Sequence, residues 1–306
     1  MKISVIGAGN VGSLTAMRIA GDGVGDVLLI DVVKGLANGK ALDLEDARPI
    51  LKYNYNIKGS DDIGQVKGSD IVVVTAGLAR KPGMSREELL AKNAQILKDV
   101  CLNVKELASE AIVIIVTNPL DIMTLYALKI TGFKPQKLFG MGISLDTARF
   151  TNLVAQELGL LCTDIEALVI GAHGEAMMPL AGFTKVKGVA LDEFMDEDKI
   201  KSLVVRTIGR GAEIVANLGT GSAFFAPSAA IAAIVKTIAK DEKRIIGLCS
   251  YLNGEYGIKD TCIGVPCRLG RDGIEKVVEL ELSQEEKDKL CKSAKSIAQA
   301  AAQLLA

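Results

Sequence analysis

The 306-residue chain has no tryptophan, a single histidine and only 4% aromatic residues, and neither sign of charge is in excess. Lys and Arg number 36 and Asp and Glu 37, which gives a net charge of -1. Without a basic field, the chain has no general electrostatic attraction to nucleic acid or to an anionic membrane. We therefore expect small molecules or further copies of the chain as partners. Apolar residues make up 49%, enough for a substantial core, which excludes a disordered or fibrous chain.

Long hydrophobic runs are also missing. The longest, residues 224–235, contains Pro227, ends at Lys236 and is too short to span a bilayer. Near the N-terminus, Asn10 and Arg18 interrupt the apolar stretch that could otherwise be mistaken for a signal peptide. These patterns predict a soluble, intracellular protein.

The six cysteines form no CxxC pair, and the closest two are Cys262 and Cys267. With one histidine in the chain, a zinc site would need mostly thiolates at unfavourable spacings, so we expect no metal. Scattered cysteines in apolar surroundings are typical of reduced core residues, which predicts a cytoplasmic location.

In the first half of the chain, short β-branched runs alternate with helical patterns. Strands are predicted at 2–6, 27–30, 71–75 and 112–116, and helices at 11–20, 35–47 and 85–107. Ser85 and Glu88 form a capping box at the start of the last of these helices. Strands this uniformly apolar are covered on both faces, which predicts a doubly wound parallel sheet with helices on each side.

The pattern changes after residue 141. Helices are predicted at 144–158, 196–217 and 283–305, with strands at 165–170 and 184–186, the latter antiparallel. Ser283 and Glu286 cap the closing helix. We expect two domains, residues 1–141 and an α+β substrate domain at 142–306.

A glycine-rich turn lies between the first strand and the first helix. The segment Gly7-Ala8-Gly9-Asn10-Val11-Gly12 fits the G-x-G-x-x-G pattern of a Rossmann domain. Gly7 permits the tight turn, Gly9 lets the backbone approach a pyrophosphate, and Gly12 allows the helix to pack closely on the strand. The N-terminus of the helix then offers free N–H groups to the phosphates.

Asp31 ends the second strand, 19 residues after Gly12, where a ribose hydroxyl is expected. A carboxylate there accepts hydrogen bonds from a diol and repels a 2′-phosphate, so NAD is favoured over NADP. A fold that carries FAD, one that has lost its ligand, and a purely structural turn are the alternatives.

His173 is the natural candidate for acid–base chemistry near neutral pH, because it is the only histidine and follows an apolar run within a Gly-Ala-His-Gly-Glu segment. Asn118 ends an apolar strand and can offer its amide to the reacting groups. Asp146 and Arg149 share one face of a helix at i, i+3. A loop rich in basic residues, Gly77 to Arg86, follows a strand directly.

Together these segments resemble the lactate/malate dehydrogenase family, and within it the malate dehydrogenases built on the lactate dehydrogenase pattern. The resemblance spans the whole chain in order: GAGNVG, LLID, AGLARKPGMSREELL, VTNPLD, LDTARF, GAHGE and GTGSAFFAP. One departure is Glu175, which stands where the family usually has Asp.

The resemblance implies a role for each site residue. His173 would accept the hydroxyl proton on oxidation, and Asp146 would fix its tautomer. Arg149 would bind the substrate's C1 carboxylate bidentately, and Arg86 would polarise the C2 carbonyl. Asn118 would hydrogen-bond near the nicotinamide.

The resemblance also implies the cofactor contacts, a homodimer or homotetramer, and a place in the tricarboxylic acid cycle. The expected NAD contacts are the six residues of the turn together with Asp31, Thr75, Ala76, Gly77, Asn93, Val116 and Asn118.

Arg80 carries the substrate prediction. A cation at this loop position goes with dicarboxylic substrates in the family, so malate and oxaloacetate are expected. Gly221 leaves space for the longer acid, and the Gly77 to Arg86 loop is predicted to close as a lid over it.

Three alternatives remain at this point. The first is a dehydrogenase of lactate or another 2-hydroxy acid, against which Arg80 argues. The second is an NAD-dependent glycosidase, which would bind a metal through Cys and His. The third is a non-catalytic NAD-binding protein, which would leave the Arg80, Arg149 and His173 set without a role.

Overall fold

A computed structural model describes residues 1–52, 54, 56–78 and 85–305 of the chain, with the side chain of Arg86 excepted. The helices are α1 (Asn10–Asp22), α2 (Leu36–Leu51), α3 (Arg86–Leu107), α4 (Leu120–Thr131), α5 (Ile143–Leu158), α6 (Glu197–Leu218), α7 (Phe225–Ala239) and α8 (Gln284–Leu305).

The strands of the N-terminal half are β1 (Lys2–Ile6), β2 (Asp26–Ile30), β3 (Ile57–Ser60), β4 (Ile71–Val74), β5 (Ile112–Ile115) and β6 (Leu138–Gly140). Those that follow are β7 (Ile165–Glu166), β8 (Val169–Gly171), β9 (Met177–Pro179), β10 (Lys185–Val186), β11 (Val189–Ala190), β12 (Arg244–Asn253), β13 (Lys259–Gly270) and β14 (Gly273–Val277).

The first six strands form a parallel sheet in the order β3-β2-β1-β4-β5-β6. The chain moves outward from β1 to β3 and then returns to β4 on the other side. Right-handed crossovers therefore place helices on both faces of the sheet. Strands β4 and β5 are buried throughout, as an internal parallel strand requires. The predicted doubly wound α/β fold is confirmed.

Helix α1 packs closely on this sheet because its buried face consists mainly of small residues. Gly12, Thr15, Ala16 and Ala20 are buried together with Ile19. Side chains of this size let the helix axis approach the strands, which brings its N-terminus close to the carboxyl end of β1.

The sheet continues past the parallel half. Strand β12 pairs antiparallel with β6, and β13, β8 and β9 follow in order, so a single mixed sheet runs through both halves of the chain. Sequence periodicity missed the long strands β12 and β13. The strand predicted at 165–170 was wrong in one respect: it is two short strands, of which β7 pairs with β10 in a separate small sheet.

Both predicted helix caps are confirmed. The Ser85 hydroxyl accepts the Glu88 N–H at 3.0 Å, and Glu88 accepts the Ser85 N–H at 2.9 Å. Ser283 and Glu286 make the same reciprocal pair before α8. The predicted core cysteines are confirmed at Cys101, Cys249, Cys262 and Cys267, whereas Cys162 is exposed and Cys291 half-buried.

The larger hydrophobic core draws on both halves of the chain, from Ile3 on β1 to Ile297 on α8. A smaller core lies between α5, α6 and the three-stranded sheet, around Phe150 and Leu203.

The domain boundary near Met141 stays a prediction. Over the described residues, no helix combines the length and apolar character needed to cross a membrane.

Candidate active site

A cleft of about 570 Å³ opens at the carboxyl ends of β1, β4, β5 and β6, beside the point where the strand order reverses. Open α/β sheets bind ligands at this place. Its lining includes ten residues that the sequence predicted as functional: Gly9, Asn10, Val11, Gly12, Thr75, Gly77, Asn93, Val116, Asn118 and His173.

The three glycines of the turn after β1 have different surroundings. Gly7 has φ +104°, and a Cβ there would lie 2.7 Å from Thr75 Oγ1, so no side chain fits. A Cβ on Gly12 would collide with the Gly7 carbonyl oxygen. Gly9, in contrast, has no atom within 4 Å of the position a Cβ would take. Gly9 thus faces open space in the cleft, at the N-terminus of α1.

Two side chains hold this turn through Ala8. Asp31 Oδ2 accepts the Ala8 N–H at 2.6 Å, and its Oδ1 accepts the Val33 N–H at 2.9 Å. Lys40 Nζ, from α2, donates to the Ala8 carbonyl at 2.6 Å. Sequence reasoning missed Lys40, because no motif marks a lysine within this helix.

Lateral hydrogen bonds join the turns after β1, β4 and β5. Thr75 Oγ1 donates to the Gly7 carbonyl at 3.0 Å, and Thr117 Oγ1 donates to the Ala76 carbonyl at 2.6 Å. Asn93, on α3, accepts the Leu78 N–H at 2.8 Å and donates to the Asn118 carbonyl at 2.8 Å. The loops that line the cleft are therefore fixed to one another, and Asn118 is exposed at its edge.

His173 follows β8 and makes a buried contact with α5. Its Nδ1 lies 2.7 Å from Asp146 Oδ2, and Asp146 Oδ1 accepts from Arg149 Nη1 at 3.0 Å. The Asp146 side chain is fully buried, while those of Arg149 and His173 are 11% and 18% exposed. Since an ionised carboxylate only accepts hydrogen bonds, the imidazole hydrogen belongs on Nδ1 and leaves Nε2 free.

Burial lowers the pKa of His173, but the hydrogen bond that Asp146 accepts from its ring and the negative charges of Asp146 and Asp121 outweigh burial. The positive charge of Arg149 acts in the same direction as burial. The net result is that the pKa of His173 is raised above its usual value, which favours the imidazolium.

The remaining predicted residues occupy other positions. Gly7, Ala8, Asp31 and Ala76 support the cleft from behind its lining, as do Asp146 and Arg149. Helix α3 begins at Arg86, but Arg80, the Arg86 side chain and most of the predicted lid lie outside the described residues.

Gly142 is a further site residue that the sequence did not single out. It precedes α5, and a Cβ there would collide with Leu120 Cδ2 and lie 3.3 Å from His173 Cβ. A glycine two residues after a buried strand was the available signal. The opposite wall comes from the end of α6, the start of α7 and the segment between them, which includes Gly221. That Gly221 leaves space for a longer acid stays a prediction.

Within the described ranges, no group of three or more His, Cys, Asp and Glu side chains is arranged to hold a metal ion.

A Rossmann sheet, a glycine-rich turn and a carboxylate-bound histidine facing one cleft define a dinucleotide-dependent dehydrogenase.

Comparison with known proteins specifies the family. Residues 1–140 match the NAD binding domain of lactate/malate dehydrogenase, and residues 143–306 match the alpha/beta C-terminal domain. A malate dehydrogenase of Methanosarcina mazei is 48% identical, and the match covers 97% of both chains. The chain belongs to the lactate/malate dehydrogenase family.

Two solved structures are similar to nearly the whole chain. The malate dehydrogenase from Picrophilus torridus in its apo form has a TM-score of 0.95 and 41% identity, covering 99% of this chain and 97% of that one. The lactate dehydrogenase from Cryptosporidium parvum, complexed with lactic acid and NAD, has a TM-score of 0.95 and 35% identity with the same coverage. The backbone alone therefore does not distinguish the two activities.

The different surroundings of Gly9 and Gly12 predict opposite effects of the same substitution. Gly12→Ala places a methyl group against the Gly7 carbonyl and should lower the free energy of unfolding by more than about 2 kcal/mol. Gly9→Ala should change that free energy by less than about 0.5 kcal/mol yet weaken NADH binding about tenfold. Denaturant unfolding and fluorescence titration with NADH measure the two effects. Equal destabilisation by both variants would contradict the assigned packing.

Proposed function

We propose that the protein is an NAD-dependent malate dehydrogenase, which oxidises malate reversibly to oxaloacetate. The observation that carries the proposal is the Asp146–His173 pair, which opens onto the same cleft as the glycine-rich turn. The relatives compared above support the assignment, because the most similar of them, at 48% identity, is a malate dehydrogenase.

The residues of the cleft fit NAD. Gly9 leaves the approach to the N-terminus of α1 open, and no side chain of the described residues caps the amides of the first turn, so a pyrophosphate can accept their hydrogen bonds. Each Asp31 oxygen accepts one backbone N–H and retains a lone pair for a ribose hydroxyl. Bound there, NAD would supply the acceptor for the hydride that leaves C2 of the hydroxy acid.

His173 supplies the acid–base step. With its hydrogen on Nδ1 bonded to Asp146, the neutral imidazole takes the hydroxyl proton at Nε2 during oxidation. The imidazolium that forms lies against Asp146, whose negative charge stabilises it. In the reverse direction, the same imidazolium returns the proton to the carbonyl oxygen.

We propose that Arg149 binds the substrate carboxylate. Only one hydrogen bond from its guanidinium, to Asp146, is formed among the described residues, and its buried Nε has no partner there. A buried donor without an acceptor is unfavourable, and a carboxylate would satisfy it. We assign the polarisation of the C2 carbonyl to Arg86, the contact near the nicotinamide to Asn118, and the second substrate carboxylate to Arg80.

Further proposals concern the oligomeric state, the cellular location and the domain boundary. Helix α2 exposes Leu42, Ile50 and Leu51, as expected of an element covered in a homodimer or homotetramer. Free cysteines favour a cytoplasmic location. The proposed reaction of malate and oxaloacetate gives the protein a role in the tricarboxylic acid cycle. We place the boundary between a cofactor domain and a substrate domain near Met141.

The first test follows NADH absorbance while oxaloacetate or pyruvate is added to the purified protein. We expect oxaloacetate to be preferred about a hundredfold or more in kcat/KM, equivalent to about 3 kcal/mol. The reason is that Arg80 would pair with the second carboxylate of oxaloacetate but would face only a methyl group in pyruvate. His173→Ala is the control and should abolish turnover. A preference for pyruvate would indicate a lactate dehydrogenase instead.

Substitution of Arg80 tests the origin of that preference. Arg80→Gln should lower kcat/KM for oxaloacetate and raise the relative rate with pyruvate, because the charge that pairs with the second carboxylate is lost. Lys81→Gln removes the neighbouring positive charge on the same loop and should leave the preference unchanged. If both variants behave alike, Arg80 has no specific role.

The pH dependence should be opposite in the two directions. Malate oxidation needs neutral His173, so its rate should rise as pH increases through the raised pKa, whereas oxaloacetate reduction should fall there. Asp146→Asn removes the charge and weakens the hydrogen bond that raise this pKa, so both profiles should move to lower pH and kcat should fall about a hundredfold or more. Initial rates from pH 5 to 10 measure both. Profiles that stay in place in the variant would rule out this role for Asp146.

A further inference from the structure

A second carboxylate, that of Asp121, contacts His173 at its main chain, whereas Asp146 contacts its ring. Asp121 lies in the first turn of α4, directly after the Leu120 that lines the cleft, and is only 5% exposed. Its Oδ2 accepts the main-chain N–H of His173 at 2.8 Å. Asp146 therefore holds the ring of His173, while Asp121 holds its backbone.

This contact is not an ordinary helix cap. An acidic residue in a first turn often bonds to amides of its own helix, but the Asp121 hydrogen bond in the described structure reaches a residue 52 positions away. Its other oxygen, Oδ1, is buried beside the Cys249 thiol, and no nitrogen or oxygen donor of the described residues bonds to it. Burying a carboxyl group in this way is costly for stability, which points to a function outside the helix.

Among the described residues, the charged groups around His173 favour the imidazolium. Asp146 and Asp121 are the acids that face it, from α5 and α4, and Arg149 is the base, with the Cys249 thiol of β12 behind Asp121. Two carboxylates and one guanidinium leave one negative charge, which the imidazolium neutralises. Burial raises the pKa of Asp121 above its usual value, although the hydrogen bond from the Cys249 thiol, the positive charge of His173 and the His173 N–H act in the opposite direction.

We propose that Asp121 is a positioning residue for His173, fixing its main chain in the cleft and supplying the second negative charge that stabilises the imidazolium. The kinetic part of this proposal rests on the proposed dehydrogenase function. The structural part does not, because it concerns a contact within the free protein.

The single histidine makes a direct test possible. Protein labelled with ¹⁵N-histidine gives one main-chain amide signal and one imidazole, both from His173. In Asp121→Asn, the amide oxygen can still accept the His173 N–H, but the negative charge is lost. We expect the pKa of the imidazole to be lower in this variant than in the unmodified protein. A folded variant with an unchanged pKa would overturn the proposal.

Asp198→Asn is the matched control. Asp198 also lies in the first turn of its helix, α6, at the same position relative to the helix start, but it is exposed. Its replacement removes the same charge from a helix N-terminus and should leave the imidazole pKa unchanged. A shift equal to that of Asp121→Asn would mean that the effect is general and not specific to His173.

Kinetics provide a second readout. In Asp121→Asn, kcat for oxaloacetate reduction should fall about 10- to 100-fold at pH 8 and recover toward low pH, with KM changed less than about twofold because Arg149 is untouched. A rise in KM at unchanged kcat would contradict a positioning role. If no 2-hydroxy acid is turned over at all, the proposed function fails, while the imidazole titration still decides the role of Asp121.

If Asp121→Asn does not fold, the amide signal of His173 in the unmodified protein still tests the proposal. An amide proton bonded to a carboxylate resonates downfield, so the His173 amide should be shifted downfield at neutral pH and move upfield as Asp121 is protonated in acid. A His173 amide signal at an ordinary position, independent of pH, would overturn the proposal.

Discussion

A carboxylate removed entirely from water needs partners for both of its oxygens, and Asp146 is such a group. One oxygen is bonded to Arg149 on the same helix and the other to His173 on a segment that follows β8. The pairing thus joins α5 to the end of a strand in the distant part of the sheet. Breaking either contact would leave a buried charge uncompensated, so the geometry of the catalytic group and the local stability of the fold depend on the same interaction.

The loops on the cofactor side of the cleft are held by hydrogen bonds between neighbouring turns, not by a buried ion pair. Glycines allow the turn after β1 to form, and short hydrogen bonds from Thr75, Thr117 and Asn93 fix the turns after neighbouring strands to one another. Because these bonds run between loops and involve backbone carbonyls, the lining is already in place before a ligand enters. Little ordering of these loops then accompanies binding, which is how a preformed site favours affinity.

The N-terminal half could be predicted well because its strands are short, uniformly apolar and separated by glycine or polar turns. The antiparallel strands β12 and β13 could not, because their buried and exposed positions do not alternate regularly along the chain. Motifs identified His173 and Asp146, whose residue types are unusual at their positions. Lys40, Asp121 and Gly142 were not recognised as parts of the site, since their roles depend on contacts with distant residues that no local pattern records.

The continuous sheet also limits how the molecule can move. Strand β6, at the edge of the parallel half, pairs with β12, and one hydrophobic core extends beneath both halves. Rotation of two lobes about a hinge needs a connection with few contacts between the lobes. The described residues instead join the two halves by sheet pairing and by a shared hydrophobic core, which favours access of the substrate through segments outside the sheet.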